Sequence, residues 1–307
     1  MDDLFEYLLA RQKSKGGSIF PKNFTDSLNF SSTSEIRISI YNRTKNWDGA
    51  LYYSTDHNTW TEWDGTTDIV SASNNGWHTI YLRGVGNTKI TGSTSLTSVR
   101  HFVISGSVIF CQGNCNNLLD YTRKATIGAG AFGELFHDCK AVSFNVTLPS
   151  TTLASYCYQN MFLGCTSLET APDLPAQKIN GKYAVYEQMF RGCTNLKRAP
   201  KISIEEVSSS CCARMFMGCS KLNSLPALLP KSTGVSCYQQ MFDGCSSIKL
   251  STTQEGEYVN EFRIPASGTG TSGSSGTTDM FANTGGTFTG TPTINTTYYT
   301  PNTVINP

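Results

Sequence analysis

The spacing of hydrophobic residues changes twice along the chain. In residues 1–13 the apolar side chains recur at helical spacing, which predicts a short amphipathic helix with acidic residues near its start. An isolated helix of this length is marginal in water, so its apolar face needs a partner. That partner is either the rest of its own domain, or another protein or second copy docked through residues 1–27. The apolar face consists of Leu4, Phe5, Leu8 and Leu9.

Between residues 28 and 110 the pattern has a period of two. Ile36, Ile38 and Ile40 alternate with polar residues, and turn clusters such as Asn74-Asn75-Gly76 separate the runs. Strands and turns at this spacing predict a small antiparallel β-sandwich domain. Residues 111–130 are expected to form a bridge to the next region.

From residue 131 to residue 250 the pattern repeats every 26 to 28 residues. The repeated phrase is Met-Phe-x-Gly-Cys, and such a fixed period is typical of a solenoid in which each unit packs on its neighbours. Within a unit, residues 157–162 predict one or two helical turns and residues 167–171 a short strand that stacks in parallel. The predicted core residues are Phe136, Phe162, Phe190, Phe216, Phe242, Cys139, Cys165, Cys193, Cys219 and Cys245.

The last part of the chain, residues 251–307, loses this period. Residues 265–278 are mostly Gly, Ser and Thr, which predicts an exposed loop. A late copy of the phrase follows at Met280-Phe281, and the polar end of the chain is suited to cap the repeats.

The amino-acid composition argues against several classes of function. Charged residues are 15% of the 307 residues and the formal net charge is +1, so a nucleic-acid footprint is not expected. No apolar run is long enough to span a bilayer, and the N-terminus does not have the pattern of a secretory signal. We therefore expect a protein made in the cytoplasm, without membrane insertion.

The eleven cysteines follow the repeat rather than a metal-binding spacing. Most fall at equivalent positions in successive copies, which predicts ladders of small buried side chains. No paired CxxC motif is present, so neither a metal nor a cofactor is expected. Cys111 and Cys115 lie outside the ladders, and a disulfide, half of a metal site or plain burial all remain open there.

No catalytic constellation emerges from the chain. Asp56 and His57 are adjacent, but adjacency alone is weak evidence for a site. The Gly-rich run lacks the lysine and the strand–helix context of a phosphate-binding loop. We predict that the protein is not an enzyme and has no catalytic residues.

A binding module is the class that the repeats favour. Residues that vary between copies on the predicted strands are candidates for an exposed recognition surface. They are Glu169, Thr170, Lys197, Arg198, Asn223 and Ser224. In the β-domain, Trp60 and Trp63 either stack on sugars or pack in the core.

The repeats resemble leucine-rich repeats of the BspA-like class. Met161-Phe162, Cys165, Leu168 and Leu174-Pro175 fall on the positions of that family's phrase, with Met in place of Ala before the Phe. The resemblance covers residues 131–250. It implies a mainly β protein in which a leucine-rich-repeat solenoid of short parallel strands and helical turns follows the N-terminal helix and the sandwich.

The combination of this repeat type with the β-domain is similar to proteins of gut Bacteroides-type bacteria and their phages. The layout resembles phage fibre and appendage proteins, which are often homotrimers. It implies a virion protein that attaches to other virion proteins through its N-terminal helix and binds a host-surface glycan or protein. The alternative is a bacterial cell-surface adhesin. A third alternative, an intracellular scaffold, is consistent with reduced cysteines but not with the Thr- and Gly-rich C-terminal region.

Overall fold

The computed structural model describes residues 26–92, 94, 101–108, 110–122, 124–141, 143–179, 181–230, 233–265 and 276–306. The predicted helix of residues 1–13 lies outside these ranges. The first described residue, Asp26, lies two positions before the first strand, and the described chain is mainly β.

Two sheets make up the first half of the described chain. The larger has the order β10-β9-β1-β7-β3-β4, with β6 also pairing with β7, and the smaller has the order β5-β2-β8. The strands are β1 (Leu28–Ser32), β2 (Arg37–Ile40), β3 (Ala50–Ser54), β4 (Thr61–Glu62), β5 (Ile69–Val70), β6 (Ala72–Asn74), β7 (Trp77–Val85), β8 (Phe102–Ser105), β9 (Phe110–Asn114) and β10 (Ser143–Thr147). One short helix, α1 (Asn116–Asp120), follows β9.

The prediction of an antiparallel sandwich is wrong in one respect, because the larger sheet is mixed. β10 pairs with β9 in parallel, whereas β1 pairs with β7 and β9 in antiparallel fashion. β10 belongs to the first copy of the repeat, so this sheet passes from the β-domain into the repeats. Both sheets are small and open. Leu28, Phe30, Ile38, Ile80 and Leu82 are buried in the core.

The predicted helical turns are also wrong. In each copy a residue with positive φ recurs every fourth position, for example Asn160 (φ 57) and Gly164 (φ 72), then Gln188 (φ 54) and Gly192 (φ 73). A right-handed helix cannot contain such residues at regular intervals. The segment is instead a chain of consecutive tight turns, which we call the turn strip.

Hydrogen bonds in the turn strip alternate between two directions. Met161 N donates to Tyr158 O of the same copy (3.2 Å), whereas Phe162 N donates to Met189 O of the next copy (2.9 Å). The same alternation recurs in later copies, so each strip is hydrogen-bonded to its neighbour along its length. This arrangement satisfies buried backbone groups without forming a helix.

The predicted ribbon of parallel strands is largely absent from the described repeats. Between two copies it is reduced to three single bridges, which join Thr170 with Arg198, Leu174 with Ile202 and Lys178 with Glu206. Apart from β10, the strands in the described repeats are β11 (Ser224–Pro226) and β12 (Lys249–Leu250), and both pair with the C-terminal segment. Prolines at 172, 175 and 200 lack the N–H that a ladder requires. A regular leucine-rich-repeat solenoid is therefore not formed.

Aromatic rings join the copies instead. Six phenylalanines form one column, with neighbouring ring centroids separated by 5.3, 5.5, 5.7, 5.5 and 5.4 Å. These residues are Phe136, Phe162, Phe190, Phe216, Phe242 and Phe281. The column ends on edge-on rings, Phe30 at one end and Phe262 at the other. We call this set the Phe column.

The repeated cysteines lie beside this column and donate hydrogen bonds. The thiol of Cys193 donates to Phe162 O (3.1 Å), and the thiol of Cys219 donates to Phe190 O (3.1 Å) in the preceding copy. All eleven cysteines are free and buried. Burial raises the pKa of Cys193 to about 12, so the thiol stays protonated and able to donate.

The C-terminal segment pairs with the last copies. It contains β13 (Asn260–Arg263), β14 (Gly285–Gly286), β15 (Thr297–Thr300) and β16 (Thr303–Ile305). β16 lies parallel to β11, and β14 lies parallel to β12. Phe281 exchanges two backbone hydrogen bonds with Gly290, which supplies the partners that a further copy would supply.

Truncation of a ring within the Phe column tests its contribution to stability. We expect Phe190→Ala to lower the free energy of unfolding by about 3–5 kcal/mol, because the ring is fully buried between two others. Urea-induced unfolding followed by circular dichroism measures the change. The matched control is Tyr183→Ala, since Tyr183 is 54% exposed, and we expect a change within about 0.5 kcal/mol. Equal losses of stability for the two variants would contradict the buried position of Phe190 in the column.

A glycine substitution distinguishes the turn strip from a helix. Gly218 has φ 76, and a Cβ there would lie 3.9 Å from its nearest neighbour, Gly192 Cα. Space is available, so the cost of Gly218→Ala is conformational and we expect about 1–2 kcal/mol of destabilisation. In a helix interior the same change would stabilise by about 1 kcal/mol. Thermal unfolding shows whether Gly218→Ala is less or more stable than the unchanged protein. Thr194→Ala, at an exposed position, is the control.

Candidate ligand-binding surface

Five of the six residues predicted to vary on the surface lie in one exposed strip. Lys197 N donates to Glu169 O (3.0 Å) and Asn223 N donates to Lys197 O (3.0 Å), so three copies place these positions in line. Thr170 forms a bridge with Arg198 beside them. We call these five residues, Glu169, Thr170, Lys197, Arg198 and Asn223, the variable strip.

Charge is distributed unevenly within the variable strip. The Lys197 ammonium lies 3.2 Å from the Glu169 carboxylate, so these two charges largely compensate each other. Arg198 is exposed, and no hydrogen bond or ion pair joins its guanidinium to any described residue. An exposed guanidinium offers several hydrogen-bond donors in a fixed geometry, suitable for carboxylate, phosphate or hydroxyl groups of a ligand.

The predicted exposure of Ser224 is wrong. Its residue is only 3% exposed, and its hydroxyl accepts a hydrogen bond from Ala199 N (2.9 Å). Ser224 begins β11, and Thr303 of β16 pairs directly with it. The C-terminal strand therefore covers a position that the repeat period alone would leave open.

Trp63 is a core residue rather than a sugar platform. It is 1% exposed, its indole N–H donates to Thr67 O (2.8 Å), and its ring lies 5.4 Å from that of Trp47. Of the two alternatives open for this residue, the structure supports packing. An aromatic ring needs an accessible face to stack on a saccharide, and Trp63 has none.

Trp60 takes part in a cluster that sequence reasoning missed. The Arg83 guanidinium lies 3.7 Å from the centroid of Trp60 and 4.1 Å from that of Tyr121, so it is held between two aromatic rings. Asp26 accepts a hydrogen bond from Arg83 (3.2 Å) and lies 2.9 Å from the His57 ring. One face of Trp60 is thus occupied by protein. These residues are distant in sequence, so no motif could have indicated the cluster.

A row of polar side chains crosses the turn strips. Gln159 donates to Glu187 (2.8 Å), whose carboxylate lies 4.0 Å from Arg214, and Arg214 donates to Gln240 (2.8 Å). Desolvation raises the pKa of the Glu187 carboxyl. Gln159 and Glu187 are buried, so this part of the row joins copies to each other rather than facing a ligand.

Two histidines meet where the β-domain joins the first copy. The rings of His101 and His137 lie 4.9 Å apart, beside a hydrogen bond from Phe102 N to Leu135 O (3.2 Å). Burial, with a smaller effect of His137, lowers the pKa of His101 to about 4. His101 is therefore neutral near pH 7, as an imidazole in a packing contact should be.

The described residues contain no group of three or more His, Cys, Asp or Glu side chains placed to hold a metal ion. Cys111 and Cys115, for which a disulfide or a half-site was open, are both free and buried. Burial raises the pKa of each thiol above its ordinary value, which opposes reaction as a thiolate.

The predicted docking residues Leu4, Phe5, Leu8 and Leu9 lie outside the described residues. Within the described part of the chain, no helix is both long and apolar enough to cross a membrane. Comparison of the sequence with protein-family models, with curated proteins and with solved structures found no match.

Proposed function

We propose that this chain is a non-enzymatic attachment protein of a phage virion, a fibre or appendage that binds a glycan or protein of the host surface through the variable strip. Its N-terminal segment would join it to other virion proteins, with three copies in the assembly. The virion setting rests on the resemblance of the sequence layout. The binding role rests on the strip itself.

One observation carries the binding role. The side chains that recur in every copy, the Phe and Cys residues, are buried, whereas the side chains of the variable strip differ between copies and are exposed or half-exposed. A rigid frame that displays changing side chains at regular intervals is what a recognition surface needs. Arg198, whose guanidinium has no hydrogen bond or ion pair with a described residue, is the expected anchor.

A binding experiment on the full chain tests this role. Labelled protein is applied to an array of bacterial-surface and intestinal mucin glycans and to Bacteroides-type cells. We expect Arg198→Ala to weaken binding at least about tenfold, because a hydrogen bond to a charged group contributes on the order of 1.5–3 kcal/mol. Asn223→Ala should weaken it less, since its amide is neutral.

Arg37→Ala is the matched control. Arg37 is an exposed arginine on β2, with its guanidinium on Glu35 rather than in the variable strip. Unchanged binding by Arg198→Ala, or equal losses for Arg198→Ala and Arg37→Ala, would rule out the strip as the recognition surface. Chemical change of a bound glycan would rule out the non-enzymatic role. A surface adhesin would give the same binding but would be found on bacterial cells rather than on particles.

A further inference from the structure

Three cysteines form a cluster apart from the thiols that donate to the Phe carbonyls. Cys211 and Cys212 belong to one copy of the repeat and Cys237 belongs to the next, and all three are free and buried. The sulfurs of Cys211 and Cys212 lie 3.8 Å apart, and the Cys211 thiol is also hydrogen-bonded to the thiol of Cys237. We call these three residues the thiol cluster.

The acidity of Cys211 differs from that of the cysteines beside the Phe column. The thiols of Cys193 and Cys219 donate to backbone carbonyls, and burial raises the pKa of both. Hydrogen bonds with Cys212 and then with Cys237 lower the pKa of Cys211, against the effect of its burial. The thiolate is the nucleophilic form of cysteine, so Cys211 is the member of the thiol cluster that reacts first.

The spacing of the copies suits a bond between Cys211 and Cys237. The two residues are equivalent in adjacent copies, as are Phe216 and Phe242, whose ring centroids lie 5.5 Å apart. Cys212 N donates to Cys237 O (3.0 Å), so the copies are hydrogen-bonded at this point. A disulfide needs Cα atoms roughly 4.4–6.8 Å apart, which one copy spacing satisfies. Cys211 and Cys212 are neighbours in the chain, with Cα atoms about 3.8 Å apart, which is too short for an unstrained bond.

A small cavity lies beside the thiol cluster. Its volume is about 10 Å³, and it is lined by Cys212, Tyr238 and the apolar residues 227–230, among others. A space of this size holds roughly one water molecule. Hydrogen peroxide is neutral and only slightly larger than water, so it is an oxidant that this cavity can admit. Glutathione disulfide is far too large to enter.

We propose that Cys211 and Cys237 form a disulfide when hydrogen peroxide enters this cavity, so that a covalent bond joins two adjacent copies. The Cys211 thiolate attacks one peroxide oxygen and the O–O bond breaks, which gives a sulfenic acid and hydroxide. The hydroxide takes up the proton that Cys211 released. The sulfur of Cys237 then attacks the sulfenic sulfur, the S–O bond breaks as the second water leaves, and the S–S bond forms. Two thiols are oxidised and one peroxide is reduced to two waters.

The proposed disulfide does not rest on the proposed binding role, and peptide mapping of the full chain tests it. The protein is exposed to hydrogen peroxide, unfolded in the presence of a thiol-alkylating agent and digested. Trypsin gives peptide 202–214 with Cys211 and peptide 232–249 with Cys237. We expect mass spectrometry to find these two peptides joined, and a reductant to separate them. Peptides that stay separate would overturn the proposal, as would a bond within peptide 202–214.

The cysteines beside the Phe column supply an internal control. Cys193 and Cys219 are also equivalent residues in adjacent copies, but their thiols donate to carbonyls. Their tryptic peptides are 192–197 and 215–221. We expect these peptides to be joined at least about tenfold less than those of the thiol cluster, because their raised pKa values leave little thiolate. Equal joining of both pairs would overturn the special reactivity of Cys211.

Glutathione disulfide tests entry through the cavity. We expect it to leave peptides 202–214 and 232–249 separate under conditions in which hydrogen peroxide joins them. Joining at the same rate by both oxidants would overturn the assignment of the cavity as the route of the oxidant.

Substitutions identify the second sulfur. Cys237→Ser should abolish the cross-link, whereas Cys245→Ser, which changes the other cysteine of the same tryptic peptide, should retain it. Thermal unfolding of both variants under reducing conditions separates loss of the bond from loss of the fold. Fragmentation of the joined peptides from the unchanged protein locates the bond independently of any variant. A bond to Cys245, or a cross-link retained in Cys237→Ser, would overturn the pairing.

Discussion

The Phe column is the interaction on which the repeat region depends. Each copy contributes one fully buried ring, and adjacent centroids lie within 5.3 to 5.7 Å of each other. A single copy could not bury its ring alone, so stability comes from contacts between copies. Edge-on rings at both ends close the column, Phe30 from the β-domain and Phe262 from the C-terminal segment. Both flanking regions are therefore tied to the same core.

The turn strip explains why Cys and Gly recur beside each Phe. Gly164 and its equivalents adopt positive φ, which costs glycine little. The Cys thiols donate to carbonyls of the preceding Phe residues, as Cys165 does to Phe136 O at 3.0 Å. Cysteine is small enough for the core and still supplies a donor. The high pKa values that burial gives these thiols fit this structural role.

The exposed polar and charged side chains lie apart from the buried Phe and Cys residues that hold the copies together. The variable strip lies on the surface of the repeats, and its Arg198 guanidinium has no hydrogen bond or ion pair with a described residue. The proposed role of the strip is recognition of an external ligand, whereas the buried Phe and Cys residues hold the copies together.

Sequence alone determined the repeat period, the inward position of Phe and Cys, and the mainly β character, because burial and periodicity act locally and leave a visible pattern. The sequence did not reveal the backbone conformation of the repeats. Apolar spacing does not reveal that Asn160 and Gln188 adopt positive φ, so the turn strip was interpreted as helix. Only the tertiary structure decided the exposure of Ser224 and Trp63. Both are covered by residues far away in the chain, β16 in one case and Trp47 with Phe102 in the other, and no local pattern encodes such contacts.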